Sequence, residues 1–339
     1  MRASTPFAGI LGHEAAVGAL EGLLAAGRMP HALLFHGPAG VGKATIAERL
    51  GRALLCRAGG CGECDDCALF ERGNHPDFMG LALELRKDSK TEYRKQILVD
   101  QVRRISAIIG LAPRHGARRV FLIDPADKMN AEAQNALLKT LEEPPSHAVL
   151  VLIESRPQIL AATVRSRCFS LGFGPLRAES LARLLESRGF DPREALERAA
   201  LAEGRPGRAI ELDVKGLRER RAILLDGLER LASRRDIGTI EKLGAALAGK
   251  NEPALQSNLD LLAALLRDAA RAALNGGDKT LVHADVADRL TRLGEMLGAE
   301  RSADLVAATD RLRDQLRFNL NRSLVAESLL AAVAGGPLP

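Results

Sequence analysis

Residues 31–43 read HALLFHGPAGVGK, and this stretch determines the fold class that we assign to the chain. Its first half, His31–His36, is a short apolar run typical of a buried strand. Its second half, Gly37–Lys43, fits the G-x-x-x-x-G-K pattern of a phosphate-binding loop. Glycines at positions 37, 40 and 42 let backbone N–H groups turn toward a phosphate, and Lys43 adds a mobile positive charge. We therefore expect an α/β domain in which a strand, this loop and a helix follow one another.

Two further apolar runs, Arg119–Asp124 and Ala148–Ile153, predict additional strands. Between them, residues 130–142 show the spacing of an amphipathic helix that Pro144 would stop. We also expect a helix capped by Asp100. Alternating strands and helices are typical of a parallel sheet flanked by helices.

Beyond Pro175 the strand patterns cease and the sequence is helical in character to its end. The pattern predicts three domains: an α/β domain over residues 1–175, a small helical lid over 176–212, and an all-helical domain over 213–339. Within the first domain, residues 84–96 form a polar stretch. It would be either a basic loop facing DNA or a solvated connection, and the interleaved acidic residues favour the second interpretation.

The composition describes an ordinary globular protein, with 46% hydrophobic and 27% charged residues in a chain of 339. No apolar run reaches about 18 residues, which argues against a membrane-spanning helix. The start of the chain lacks the apolar stretch of a secretory signal, so we expect a cytoplasmic protein. The net charge of +5 permits contact with DNA but does not require it.

The phosphate loop departs from its usual pattern at the residue after Lys43. That position normally carries a hydroxyl that holds the magnesium ion of a nucleotide, and here it is Ala44. Thr45 comes one place too late for that task, although it could touch a phosphate oxygen. The loop is either a site for weakly bound ATP or ADP or a structural remnant that shapes the fold, and we favour the remnant.

Two short segments carry a resemblance to a known family. Asp124–Asp127 (DPAD) follows the second strand, and Ser166–Cys168 (SRC) follows the third. Both segments resemble the AAA+ subunits of bacterial clamp loaders. The DPAD segment resembles the delta-prime subunits of these complexes more than the gamma/tau subunits. Active AAA+ ATPases carry a glutamate where this chain has Pro125, which cannot polarise water.

The resemblance implies a subunit that does not hydrolyse ATP but supplies Arg167 to the ATP site of a neighbour. A guanidinium there would stabilise the charge that builds on the γ-phosphate during phosphoryl transfer. On the tripeptide alone, an intramolecular ion pair of Arg167 is the favoured interpretation. Together with the phosphate loop and the segment at Asp124, the role in trans is favoured instead. The family places a sensor arginine near Arg208, and its other sensor position, near Glu154 and Ser155, has no matching Thr or Asn.

The implied partners are the gamma/tau and delta subunits, with the sliding clamp and primer–template DNA reached through the complex. Residues 213–339 would then join the oligomeric collar. Two alternatives stay open. One is an active AAA+ ATPase, either gamma/tau-like or a helicase motor, and the other is a zinc-containing regulator that binds DNA by itself.

Four of the five cysteines lie close together in the sequence, with the spacing C-x4-C-x2-C-x2-C. These residues are Cys56, Cys61, Cys64 and Cys67, and four thiolates suit tetrahedral zinc. We expect a structural zinc module at about residues 56–67, since four protein ligands leave no position for a substrate. An iron–sulfur cluster or free thiols are the alternatives. Cys168 is expected to be a buried small residue rather than a ligand.

Overall fold

A computed structural model describes residues 6–85, 93–156, 159–234, 236–275, 281–316 and 320–339. The chain forms two compact units, Met1–Ile210 and Glu211–Pro339.

The first unit contains a five-stranded parallel sheet with the order β2-β3-β4-β1-β5. The strands are β1 (Ala32–His36), β2 (Phe78–Leu81), β3 (Arg119–Ile123), β4 (Ala148–Glu154) and β5 (Phe169–Gly172). The carboxyl ends of parallel strands meet at one edge of a sheet, where α/β proteins place their binding sites. The sequence-based expectation of an α/β domain built on a parallel sheet flanked by helices is confirmed.

Helices cover both faces of this sheet. They are α1 (Glu14–Ala25), α2 (Lys43–Leu55), α3 (Asp65–Glu71), α4 (Val99–Ile109), α5 (Ala131–Glu142) and α6 (Ala162–Arg165). On one face, Ile105 of α4 and Leu137 of α5 are fully buried against Phe121 and its neighbours. On the other face, Leu20 of α1 and Leu50 of α2 are fully buried. The apolar stripe predicted for residues 130–142 therefore faces the sheet.

Two details of this unit differ from the sequence-based expectations. The sequence predicts β1, β3 and β4 but neither β2 nor β5, which are the two edges of the sheet. The expectation that Asp100 caps a helix is wrong, because α4 already begins at Val99 with Leu98 as its N-cap. The Leu98 N–H is instead satisfied by Gln101, whose Oε1 accepts it at 3.0 Å. Leu98 has no polar side chain, so a reciprocal cap cannot form.

Residues after β5 form a separate helical layer within the same unit. Its helices are α7 (Ala178–Ser187), α8 (Pro192–Leu201) and α9 (Pro206–Glu211). Leu181, Leu185 and Ala195 lie in a hydrophobic cluster of their own, distinct from the two clusters on the sheet. The division of the chain into lid and C-terminal domain at residue 212 stays a prediction.

The second unit is all-helical in its described residues. Its helices are α10 (Val214–Arg234), α11 (Ile237–Ala248), α12 (Glu252–Asn275), α13 (Ala287–Leu297), α14 (Ala299–Gln315) and α15 (Arg322–Val333). The long helix α12 packs against α13 and α14, and α11 packs against α15. Among all helices of the described residues, none combines the length and apolar character that crossing a bilayer requires.

The polar stretch at residues 84–96 is only partly described, because residues 86–92 lie outside the described residues. Its two ends are joined by an antiparallel bridge between Leu85 and Tyr93. The choice between a DNA-facing loop and a solvated connection therefore stays a prediction.

Candidate functional site

The phosphate loop joins the end of β1 to the start of α2, and its glycines adopt left-handed conformations. The φ angles are 139° at Gly37, 79° at Gly40 and 108° at Gly42. A Cβ atom at Gly37 would lie 1.9 Å from the carbonyl oxygen of Phe173. Glycine at position 37 is therefore required both by the backbone angle and by this close approach.

Lys43 is turned into the loop and away from solvent. Its Nζ donates hydrogen bonds to the carbonyls of Gly37 at 2.6 Å and Pro38 at 2.7 Å, and the residue is 4% exposed. Ser155 Oγ lies 3.4 Å from the same ammonium group. Burial lowers the pKa of Lys43, although Asp124 and other nearby carboxylates oppose the shift. The ammonium group thus has partners within the protein, and a phosphate would have to replace them.

The outer side of the loop is in contact with other parts of the first unit. The Gly207 N–H donates to the Gly40 carbonyl at 2.9 Å. His13 Nε2 lies 2.8 Å from the Val41 carbonyl. The loop carbonyls are therefore engaged by α9 and by the residue that precedes α1. Nearby, Arg208 forms an ion pair with Glu203 at 3.4 Å, so its side chain is also engaged within the lid segment.

Two positions that serve magnesium binding and water activation in hydrolysing P-loop proteins, those of Ala44 and Pro125, carry no suitable group here, whereas Asp124 keeps a carboxylate. Ala44 packs against the hydrophobic cluster formed with α1 and α2. Thr45 is exposed and lines a surface cavity of about 430 Å³ to which no loop residue contributes. Asp124 follows β3 directly, and burial raises its pKa despite the opposing charge of Lys43. Pro125 occupies the position of the catalytic glutamate and has no ionisable group.

Glu154 is a buried carboxylate near Lys43, and the sequence analysis names it only for its place near an expected sensor position. Glu154 ends β4 and is 0% exposed, and neither carboxylate oxygen has a hydrogen-bond partner in the described part of the chain. Burial and the neighbouring Asp127 raise its pKa to about 7, while Arg165 and Lys43 oppose the shift. The sequence feature that could have indicated Glu154 is its place at the end of the apolar run AVLVLI, where a buried charge is costly unless it is paired.

Arg167 lies in the short connection between α6 and β5, at the surface of the first unit. Its side chain is 36% exposed and pairs with Glu142, the last residue of α5, at 2.8 Å. A second hydrogen bond of 2.9 Å runs to the carbonyl of Thr163. The intramolecular ion pair weighed from the sequence is therefore present, and the guanidinium is at the same time accessible from outside. The neighbouring Cys168 is partly buried, and burial raises the pKa of its thiol to about 12.

The four clustered cysteines come together at one end of the first unit. Their sulfur atoms all lie within 4.8 Å of one another, and Cys56 Sγ is 3.6 Å from both Cys61 and Cys64. Sulfur atoms around a tetrahedral zinc at about 2.3 Å would be about 3.8 Å apart, so the set fits such an ion. The cluster could therefore hold a metal ion, and Cys168 is not a member.

Local structure explains how so short a segment brings four sulfurs together. Cys56 follows the last residue of α2, whereas Cys64 and Cys67 lie at the start and in the middle of α3. The connection between these helices turns at three glycines with positive φ, at positions 59, 60 and 62. The Gly62 N–H also donates to Cys67 Sγ at 3.3 Å, the type of contact that stabilises a thiolate.

The fold and these sites define a P-loop α/β protein with a four-cysteine module. The family model described as DNA polymerase III, delta subunit matches residues 12–177. The chain is 36% identical to the DNA polymerase III subunit delta' of Pseudomonas aeruginosa, over 91% of this chain and 93% of that protein. It is 31% identical to the Escherichia coli subunit delta', over 91% and 90% of the two chains. The chain therefore belongs to the delta-prime subunits of DNA polymerase III, and the resemblance seen in the sequence is confirmed.

A further similarity covers only part of the chain. The subunit tau of Escherichia coli is 37% identical over 53% of this chain, which corresponds to 27% of tau. The two delta-prime relatives, in contrast, match this chain along nearly its whole length.

Proposed function

We propose that this chain is a non-hydrolysing member of a DNA polymerase III clamp loader that supplies Arg167 in trans to the ATP site of a neighbouring subunit. Within the cytoplasm it would work together with gamma/tau and delta subunits. It would contact the sliding clamp and primer–template DNA through that complex, with the second unit joining the oligomeric collar. Membership of the delta-prime family supports this assignment.

The absence of hydrolysis is supported by three features of the chain, at the phosphate loop and at the end of β3. Ala44 removes the hydroxyl that would coordinate magnesium, and Pro125 removes the carboxylate that would orient water. Lys43 is hydrogen-bonded to the loop itself, so it is not held ready for a phosphate. Phosphoryl transfer depends on all three groups, because each positions a reactant or stabilises charge.

The observation that carries the proposal is the accessibility of Arg167. An arginine that acts on the ATP of a neighbouring subunit must reach across the subunit interface. It must therefore lie at the surface and keep N–H donors available for the phosphate. The Arg167 side chain is 36% exposed, and the connection that carries it is anchored on both sides by α6 and β5. A planar group with fixed charge is suited to the equatorial oxygens of a transferring phosphoryl group.

The cysteine cluster would hold a structural zinc ion. Cys56, Cys61, Cys64 and Cys67 would fill all four tetrahedral positions, which leaves none for a substrate or a water molecule. The ion would clamp the end of α2 to α3, and α2 is the helix that follows the phosphate loop. Zinc would therefore stabilise the fold and take no part in phosphoryl transfer.

The test is the rate of ATP hydrolysis by a reconstituted complex that contains Arg167→Ala. We expect the hydrolysis that depends on this residue to fall by roughly tenfold or more, while the complex still assembles in gel filtration. Arg193→Ala, an exposed arginine on α8, is the matched control and should leave hydrolysis unchanged. Undiminished hydrolysis by an assembled Arg167→Ala complex would reject the proposed role.

A further inference from the structure

The guanidinium of Arg167 is held by two contacts that come from different elements. Its two terminal nitrogens donate separately, one to the Thr163 carbonyl and the other to Glu142 Oε1. Thr163 belongs to α6, whereas Glu142 is the last residue of α5, 25 positions away in the chain. We propose that Glu142 is a positioning residue that orients Arg167 toward the neighbour's ATP, an inference that rests on the proposed function.

The two contacts leave the guanidinium able to bind a phosphate. An arginine side chain has five N–H donors, and only two of them are used here. The remaining donors include one on each terminal nitrogen and the Nε–H. The Arg167 and Glu142 side chains are 36% and 51% exposed, so the pair lies in contact with solvent, and these donors are not taken by the carboxylate.

Helix α5 holds the segment that carries Arg167 at two points. In its first turn, the buried Gln134 accepts the N–H of Ala161 at 2.8 Å. At its end, Glu142 contacts Arg167 itself. Between these two positions, Leu137 and Leu141 are buried against the sheet, so the helix is fixed to the core of the domain. The guanidinium is thus supported by a rigid element on the side that faces α5.

Such support matters because an exposed arginine side chain is otherwise free to sample many rotamers. Holding a charged group in place before the reaction reduces the entropy that is lost when it engages the transition state. An ion pair between two exposed side chains is weak, so it can orient Arg167 without withdrawing it from use. Glu142 would therefore assist the reaction and would not block it.

The experiment compares variants of Glu142 in the reconstituted complex, with the hydrolysis lost in Arg167→Ala as the reference. Glu142→Ala should reduce the Arg167-dependent kcat by up to about fivefold, which corresponds to the upper range for an exposed ion pair, and should leave KM for ATP unchanged. Glu142→Gln keeps an oxygen acceptor and should retain most of the rate. Glu143→Ala, at the adjacent exposed carboxylate, is the matched control and should have no effect.

The combined variant separates positioning from a general effect on the fold. If Glu142 acts only through Arg167, the double variant Arg167→Ala/Glu142→Ala should hydrolyse ATP at the rate of Arg167→Ala alone. If Glu142→Ala has a normal rate while Arg167→Ala has a reduced rate, the positioning role of Glu142 is overturned and the proposed role of Arg167 in trans is left intact. A faster Glu142→Ala complex would show that Glu142 restrains the arginine, and it would also overturn the proposal. An undiminished rate for Arg167→Ala would reject both the positioning role of Glu142 and the proposed role of Arg167.

Discussion

The backbone N–H of Gly207 donates a hydrogen bond of 2.9 Å to the carbonyl of Gly40, so the start of α9 lies directly on the phosphate loop. The approach is close enough that a Cβ atom at Gly207 would lie 3.3 Å from Gly40 Cα. On its inner side the same loop holds the Lys43 ammonium through two carbonyls. The loop is therefore closed from both sides by groups of the chain itself.

This closure predicts that the isolated chain neither binds ATP tightly nor hydrolyses it. Entry of a triphosphate has to break the contacts that Lys43 makes with the loop carbonyls. We expect no saturable heat with magnesium and ATP below about 1 mM in calorimetry, which corresponds to a binding free energy weaker than about −4 kcal/mol. Ala44→Ser restores a possible magnesium ligand but not the group missing at Pro125, so that variant should also show no ATP turnover. Micromolar binding or measurable turnover by the unmodified chain would contradict the closed loop.

Gly37 provides a second prediction about the same loop, because a side chain there would collide with backbone. Gly37→Ala places a Cβ atom 1.9 Å from the carbonyl oxygen of Phe173 at a φ angle of 139°. We expect the variant to lose roughly 3 kcal/mol or more of unfolding free energy in urea titration. In Gly174→Ala nothing lies within 4 Å of the added atom, so this variant should change the free energy of unfolding by less than about 0.5 kcal/mol. Similar losses in the two variants would show that Gly37 is not specially constrained.

Much of the fold could be predicted from the sequence because the buried strands carry continuous apolar runs. All five residues of β3 and all seven of β4 are buried, and apart from Arg119 at the start of β3 and Glu154 at the end of β4 they are all apolar. The two edge strands have little such signal, since β2 and β5 each bury only one of four residues fully. An edge strand is fixed by pairing with its neighbour, a contact between distant parts of the chain that local patterns do not encode.

The candidate site divides in the same way between local and distant information. The loop glycines, the cysteine spacing and the SRC segment are local motifs, so their chemistry could be predicted from residue types. The hydrogen bonds of Lys43 to its own loop and the contact between Glu142 and Arg167 depend on three-dimensional packing. Glu154 has no hydrogen-bond partner among the described residues. This too depends on its surroundings in the fold and not on its neighbours in the sequence.

The cysteine cluster predicts about one bound zinc ion per chain, because its sulfurs fit a closed tetrahedral site. Replacing any one of the four ligands by serine should reduce the zinc content measured by elemental analysis and lower the melting temperature. Cys61→Ser is the most informative variant, since Cys61 is the exposed member of the set and its loss creates no buried cavity. Cys168→Ser lies outside the cluster and should keep the full zinc content. Visible absorption from bound iron, or a zinc content unchanged in Cys61→Ser, would contradict the assignment.

Glu154 makes the stability of the first unit depend on pH in a specific direction. Burial first, and then the nearby Asp127, raise the pKa of this carboxyl from 4.5 to about 7. The folded chain therefore holds a proton in a pH range where the unfolded chain has released it. The stabilising effect of that proton is fully present below about pH 4.5, declines as the pH rises toward 7, and is lost above it.

Glu154→Gln removes the ionisable group but keeps nearly the same shape, so it should relieve the cost of a buried charge at high pH. We expect the variant to unfold at a higher urea concentration than the unmodified chain at pH 8. The corresponding gain in the free energy of unfolding is at most on the order of 3 kcal/mol. The difference should shrink toward pH 5, where both side chains are largely uncharged in the folded state. Glu143→Gln, at an exposed carboxylate, is the control and should show no such trend. A stability difference for Glu154→Gln that stays constant between pH 5 and pH 8 would mean that Glu154 remains ionised throughout, paired with a cation such as Arg165 or Lys43.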